Sequence, residues 1–118
     1  MFPQTLVLRY AHLEPEARRQ PQIVDDYGRW FISRLCSLVL LLERQAFLCA
    51  GRFTAADISV GYALMLAEHT GLSEHFAPPI AQYWARLQAR DGFQCALRAQ
   101  GAAARAQGVS PDPSPQTR

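Results

Sequence analysis

The stretch Phe53-Thr54-Ala55-Ala56-Asp57-Ile58 is the most informative segment of this 118-residue sequence. Thr54 is a preferred N-cap residue whose hydroxyl can accept a hydrogen bond from the backbone N–H of Asp57. The Asp57 carboxylate can in turn accept one from the N–H of Thr54, which completes a capping box. Phe53 and Ile58 flank the box at the spacing of a hydrophobic staple. The stretch therefore predicts a sharply defined helix start built by four structural residues, Phe53, Thr54, Asp57 and Ile58.

Apolar residues recur at helical spacing on both sides of this cap. The pattern predicts five helices with breaks at Pro, Gly and polar residues between them, over Leu6–Leu13, Ile23–Gln45, Thr54–His69, Ile80–Ala89 and Phe93–Gln100. No segment alternates apolar and polar residues as a half-buried strand does. The predicted fold class is therefore all-α, a helical bundle of about five helices.

The long second helix is predicted to be central to the bundle. Its apolar residues form one continuous stripe expected to be buried, consisting of Tyr27, Trp30, Phe31, Leu35, Leu38, Val39 and Leu42. Leu40 and Leu41 widen this stripe beyond one face of the helix. Cys36 lies in the same apolar run and is expected to be a small core residue.

The two ends of the chain differ in character. The first helix opens almost at Met1, so either it docks tightly or a preceding segment is missing. Residues 101–118 contain three of the eight prolines and only Val109 as a bulky apolar residue. Such a segment cannot bury enough surface to offset its ordering entropy. We expect a helical domain over residues 1–100, and a disordered Pro/Ala/Gly-rich tail over residues 101–118.

Charge and cysteine content exclude several classes of function. A net charge of +2 is too small to indicate a nucleic-acid or membrane-surface partner. The longest uncharged apolar run, Leu35–Leu42, is too short to span a bilayer. Cys36, Cys49 and Cys95 are odd in number and form no Cys-x-x-Cys pair, which argues against a disulfide framework. Without a recognisable secretory leader, these features predict a cytoplasmic protein.

The sequence also lacks the patterns of common catalytic and metal sites. His12, His69 and His75 have no metal-ligand spacing and are expected at the surface or near helix ends. No Gly-rich phosphate loop, paired catalytic carboxylates or Ser/His/Asp constellation can be identified. We therefore predict no catalytic residue and no metal ligand in this chain.

Two blocks of the sequence resemble the C-terminal domain of the glutathione S-transferase family. Gly51-Arg52-Phe53-Thr54-Ala55-Ala56-Asp57-Ile58 is similar to the family signature Gly-x-x-Ser/Thr-x-x-Asp-Ile, which opens a buried helix and serves folding. Tyr83-Trp84-Ala85-Arg86-Leu87-Gln88-Ala89-Arg90 resembles a later family helix, although Asp91 follows where the family usually has Pro. The similarity covers residues 2–100 and implies a glutathione S-transferase C-terminal-like helical bundle, truncated at its first helix.

The resemblance also implies a division of labour. In the family, a preceding thioredoxin-like domain binds the co-substrate glutathione and activates its thiol, while the helical domain supplies much of the pocket for a hydrophobic electrophile. Nothing in this sequence resembles that first domain, so the chain is expected to hold no cofactor and to be inactive alone. The family's first helix faces the active site, which implies substrate contacts from Leu6, Arg9, Tyr10 and Leu13. The alternative is that Tyr10 only packs and Arg9 is solvated.

Two functions follow as expectations. The chain is either the substrate-pocket half of an enzyme that conjugates glutathione to electrophiles, or a free-standing helical protein–protein interaction module. Similar helical domains serve as such modules in some translation-factor and synthetase assemblies. In the first case, an apolar face is expected to be covered by the missing N-terminal domain or by self-association.

Overall fold

The computed structural model describes residues 3–112. Over this range the chain forms five α-helices and no β-strand: α1 Pro3–Leu8, α2 Pro21–Arg44, α3 Ala55–His69, α4 Pro78–Gln88 and α5 Asp91–Ala106. A π-helical turn, Arg9–Leu13, continues α1, and single 3-10 turns lie at Glu16–Arg18 and Leu72–His75. The all-α prediction is thus confirmed for the described residues.

Proline and glycine set several of the helix boundaries. Pro21 and Pro78 occupy the first positions of α2 and α4, where a missing N–H costs no intrahelical hydrogen bond. Gly71 follows the end of α3 with a φ of +78°, a conformation that a residue without Cβ adopts at little cost. Gly71 therefore ends α3 as a C-terminal cap.

The first predicted helix changes its hydrogen-bonding pattern at Arg9. The N–H of Glu14 donates to the carbonyl of Arg9, five residues earlier, at 2.9 Å. This spacing belongs to a π-helix, whose turn is wider than that of an α-helix. The apolar periodicity of Leu6–Leu13 indicated a helix correctly, but a pattern over so few residues does not distinguish the two helix types.

The core lies where α2, α3 and α4 meet. Its buried members come from all three helices and comprise Phe31, Leu35, Leu42, Ala63, Leu64, Ala67, Ile80, Tyr83, Trp84 and Leu87. Gly61 allows α3 to approach α4 closely, because a Cβ at this position would lie 3.1 Å from the Leu87 Cδ1 atom. Helices α3 and α4 are therefore positioned against each other by direct packing near the middle of α3.

The prediction that α2 is buried on more than one face was wrong. Leu40 is 68% exposed, and Trp30 and Leu41 are exposed as well. Cys36, expected in the core, is also exposed. Helices α1 and α4 contact α2 but leave this side uncovered, so an apolar sequence pattern overstated the burial.

The last helix is longer than predicted. Helix α5 runs over Asp91–Ala106, whereas the sequence pattern ended it at Gln100. Residues 101–106 read Gly-Ala-Ala-Ala-Arg-Ala, and Ala has the highest helix propensity, so local preference extends the helix although none of its residues is buried. The tail predicted to be disordered from residue 101 is thus helical over 101–106. The part of this prediction that concerns residues 113–118 lies outside the described range, as do Met1 and Phe2 of the predicted helix start.

Candidate functional site

Asp57, near the start of α3, is a buried carboxylate at the centre of a hydrogen-bond cluster. Asp57 is only 1% exposed. The capping box predicted for Thr54 and Asp57 is present. The Asp57 Oδ2 atom accepts hydrogen bonds from the Thr54 N–H at 2.8 Å and from the Thr54 hydroxyl at 3.2 Å. One carboxylate oxygen therefore fixes the turn at which the chain enters α3.

The second oxygen of Asp57 joins segments that are distant in sequence. The Oδ1 atom accepts a hydrogen bond from the Leu48 N–H at 3.0 Å and one from the Tyr83 hydroxyl at 2.8 Å. Leu48 belongs to the loop before α3, and Tyr83 lies on α4. Four donors thus converge on one side chain, which ties the loop, the start of α3 and the middle of α4 together. We call this cluster the Asp57 node.

The Asp57 node is arranged to hold its carboxylate ionised. Burial raises the pKa of Asp57, but the hydrogen bonds from the backbone of Leu48 and Thr54 and from the hydroxyls of Tyr83 and Thr54 outweigh it, so that the pKa lies below its usual range. Burial, followed by the hydrogen bond to Asp57, raises the pKa of Tyr83 above its ordinary value. Tyr83 therefore stays a protonated donor and Asp57 an acceptor, which suits a structural role rather than proton transfer at neutral pH.

The two sequence blocks that resemble a known family meet in space. Besides the contact between Asp57 and Tyr83, the Arg90 guanidinium carbon lies 3.7 Å from the centre of the Phe53 ring. The Phe53 ring also contacts Phe47 edge-on, with 6.0 Å between ring centres. The sequence predicted the cap but not its contact with Tyr83, because no periodic pattern relates positions that are 26 residues apart.

Phe53 and Ile58, the two residues of the predicted hydrophobic staple, are not both buried. Ile58 is 61% exposed, and Phe53 is partly buried. The proposed staple role of these two residues stays a prediction. Thr54 and Asp57, by contrast, form the hydrogen bonds that the sequence predicted.

The four predicted substrate-binding residues lie on α1 and the π-helical turn. Leu6 and Tyr10 are partly buried, whereas Arg9 and Leu13 are exposed. The Arg9 Nε donates to the Glu14 Oε1 at 2.7 Å, and the guanidinium lies 5.4 Å from the centre of the Tyr10 ring. Arg9 is thus held in place by neighbours on its own segment, with its charge opposed by a carboxylate.

Glu14 organises an arginine cluster that sequence reasoning missed. Its side chain is largely buried and lies 3.4 Å from the Arg18 Nε, while the Arg19 Nε donates to the Glu14 carbonyl at 3.1 Å. The hydrogen bond from Arg9, assisted by the charges of Arg18 and Arg9, overcomes desolvation and lowers the pKa of Glu14. The only signal available in the sequence was that Arg9, Arg18 and Arg19 lie four or five residues from Glu14. We call these residues the Glu14 cluster.

Residues 3–112 show neither a metal-binding cluster nor a membrane-spanning helix. No group of three or more His, Cys, Asp or Glu side chains in this range is placed to hold a metal ion. No helix in the same range is long and apolar enough to cross a membrane. No family model, curated protein or solved structure matches the chain.

Proposed function

We propose that the chain is the C-terminal helical domain of a glutathione S-transferase family protein, the half that supplies the substrate pocket. The supporting observation is that both blocks that resemble the family contact each other through Asp57–Tyr83 and Phe53–Arg90. The Asp57 node gives the first block a structural role, which is the role that the family signature implies.

The substrate face of this domain is proposed to be the exposed side of α1 and its π-helical turn. Leu6, Tyr10 and Leu13 supply apolar surface for a hydrophobic electrophile, and Arg9 supplies a positive charge at its edge. Because Glu14 orients Arg9, the guanidinium is held ready to contact a carboxylate or developing negative charge without first losing rotamer freedom. A thioredoxin-like domain carrying glutathione would complete the pocket.

The conjugation reaction requires a glutathione thiolate, and we propose that these 118 residues do not generate it. A hydroxyl that stabilises the thiolate must be free to donate toward it. Tyr83 donates instead to Asp57 inside the core. Because nothing in the sequence resembles the domain that binds glutathione, the chain alone is expected to be inactive, and thiol activation is assigned to the thioredoxin-like domain. The proposed location is the reducing cytoplasm, which the three free cysteines support.

Enzyme and binding assays with the purified chain test the proposed roles of the two domains. Conjugation of glutathione to chlorodinitrobenzene is measured for the chain alone and for the chain mixed with the thioredoxin-like domain of a glutathione transferase. We expect no turnover above buffer for the chain alone, and saturable binding to the added domain that Leu13→Asp weakens. Turnover by the chain alone would contradict the proposed assignment of thiol activation, and absence of binding to any such domain would favour the alternative below.

The alternative function is a free-standing helical protein–protein interaction module. The observation that favours it is the apolar side of α2, where Trp30 and Leu41 share a face about three helical turns apart and Leu40 lies beside them. Hydrophobic-dye binding and sizing of the chain, compared with Leu40→Asp, test for such a surface. A monodisperse monomer that binds no dye would count against an interaction surface of this kind.

A further inference from the structure

A groove of about 440 Å³ runs between α3 and α5, on a part of the molecule that the proposed transferase function does not use. Its walls are mainly apolar side chains, including Ile58, Tyr62 and Met65 from α3 and Phe93 and Leu97 from α5. None of the four predicted substrate residues lines it. The groove is therefore a separate candidate for ligand binding.

The groove exists because α5 is anchored only near its start. The Phe93 ring contacts Trp84 of α4 edge-on, with 5.5 Å between ring centres, whereas α5 has no buried residue along its described length. Ile58 and Tyr62, on the facing side of α3, are 61% and 57% exposed. Apolar surface on two neighbouring helices is thus left facing solvent, at a volume within the range of about 300–1,000 Å³ typical of small-molecule sites.

The groove has one charged end. Arg90 lines it at the start of α5, and Gln100 lines it ten residues further along, which corresponds to about 15 Å of helix. The Arg90 guanidinium is stacked on Phe53 and lies 5.9 Å from the centre of the Phe47 ring. It forms no ion pair within residues 3–112. A positive charge therefore lies at one end of the apolar groove, and two aromatic rings hold the guanidinium in place.

The one carboxylate among the residues that line the groove, Asp57, forms no ion pair with Arg90. Asp57 belongs to the groove wall, but its two oxygens accept four hydrogen bonds from Leu48, Thr54 and Tyr83. Its 1% exposure leaves no surface for a ligand cation. The charge that the open groove offers to a ligand is consequently positive.

We propose that this groove binds a single-tailed apolar carboxylate, such as a fatty-acid anion, with its head group on Arg90. A planar guanidinium matches a carboxylate with two parallel N–H···O hydrogen bonds. The tail would then follow α3 and α5 past Tyr62, Met65 and Leu97 toward Gln100. Charge complementarity at one end and apolar contact along the remainder together favour this class of ligand over a neutral or cationic one.

A comparison of three probes on the unaltered protein tests the head-group preference. Binding of dodecanoate, dodecanol and dodecyltrimethylammonium is measured by calorimetry, with each probe below its micelle-forming concentration. The tails are identical, so differences report the head group alone. We expect dodecanoate to bind about tenfold or more tightly than dodecanol, since hydrogen bonds to charged groups are the stronger ones. Equal affinities, or the tightest binding by the cation, would overturn the proposal.

Two variants and two matched controls locate the site. Arg90→Gln should remove the preference for dodecanoate over dodecanol, whereas Arg98→Gln, on the same helix but outside the groove, should preserve it. Ala96→Trp should fill the groove and abolish binding of both probes. Ala102 lies on the opposite face of α5 from Phe93, so Ala102→Trp should leave binding intact. Folding of each variant is checked by circular dichroism and thermal unfolding.

The same experiments separate a ligand site from other uses of the groove. If a second copy of the chain fills it, sizing should show a dimer that Ala96→Trp converts to a monomer, and the probes should not bind; this result would overturn the proposal. Binding that survives Ala96→Trp would also overturn it, because the probe would then lie elsewhere. Because the readout is probe binding, these outcomes are independent of whether the chain takes part in glutathione conjugation.

Discussion

The Asp57 node and the Glu14 cluster each collect several donors on one acidic side chain, but they do so in different surroundings. Asp57 accepts hydrogen bonds from neutral N–H and O–H groups in the core, which lie up to 26 residues from it in sequence. Glu14 faces arginine side chains close in sequence, two of which are largely exposed to solvent. Exposed ion pairs contribute little to stability because solvent screens them. The comparison teaches that the fold depends on the first cluster, while the second orients side chains locally.

The largest expected effect comes from Asp57→Ala. This change removes the acceptor shared by Leu48, Thr54 and Tyr83, and each buried donor left without a partner costs about 1–3 kcal/mol. We expect the free energy of unfolding to fall by about 3 kcal/mol or more, measured by chemical denaturation. Asp26→Ala, which removes an exposed carboxylate paired with Arg29 at 2.6 Å, is the control. Similar losses in both variants would remove the distinction between buried and exposed carboxylates.

Tyr83→Phe isolates the contact that joins α3 to α4. The substitution keeps the ring in the core but removes the hydroxyl that donates to Asp57 at 2.8 Å. We expect a loss of about 1.5–3 kcal/mol, the range for a hydrogen bond to a charged group. Tyr62→Phe serves as the control because Tyr62 is exposed, and it should change stability by less than about 0.5 kcal/mol. If Tyr83→Phe changed stability as little as Tyr62→Phe, the hydrogen bond between α4 and Asp57 would not stabilise the fold, and the Asp57 node would act only as a local helix cap.

The contrast also explains what the sequence predicted. Thr54 and Asp57 were found because a capping box spans three residues and leaves a local signal. Helix positions followed from apolar spacing, and Pro21, Gly71 and Pro78 coincide with real boundaries. These are properties of short segments, in which sequence distance and spatial distance are nearly the same.

What sequence reasoning could not find depends on tertiary position. The apolar pattern of α2 does not reveal which side its neighbours leave open, so Leu40 was expected to be buried. The contacts of Tyr83 with Asp57 and of Arg90 with Phe53 need the relative placement of α3, α4 and α5. For the same reason, the groove beside α5 has no sequence signature. Its lining residues are separated along the chain and join only when the helices pack.

Acid should destabilise the fold through the carboxylates whose pKa values are depressed in the folded state. The pKa of folded Asp57 lies below its ordinary value of 3.8, so its contribution to stability is complete above that pH and is lost as pH falls through the folded pKa. Unfolding free energies measured from neutral to strongly acidic pH should therefore decrease at the acid end. Asp57→Asn, which cannot ionise, should flatten that decrease. An unchanged acid profile in this variant would show that other groups control the transition.

Thr54→Ala should produce a smaller loss than either change at Asp57 or Tyr83. It removes the capping hydroxyl, but the backbone N–H of residue 54 can still donate the hydrogen bond to Asp57 that is 2.8 Å long. The expected cost is about 0.5–2 kcal/mol, measured as a shift of the denaturation midpoint. Thr54→Ser is the matched control because it retains the hydroxyl and should recover most of the lost stability. No difference between Ala and Ser at this position would contradict a capping role.

The smallest effect on global stability is expected for Glu14→Gln. The change keeps the shape of the side chain but removes the charge that faces Arg9 at 2.7 Å and Arg18 at 3.4 Å. The loss should be smaller than that of Thr54→Ala and should vanish at high salt, since screening already weakens such pairs. Amide hydrogen exchange around Arg9–Leu13 should nevertheless become faster, because the guanidinium of Arg9 loses its anchor. A large, salt-independent loss of stability would instead place the Glu14 cluster alongside the Asp57 node as part of the folding core.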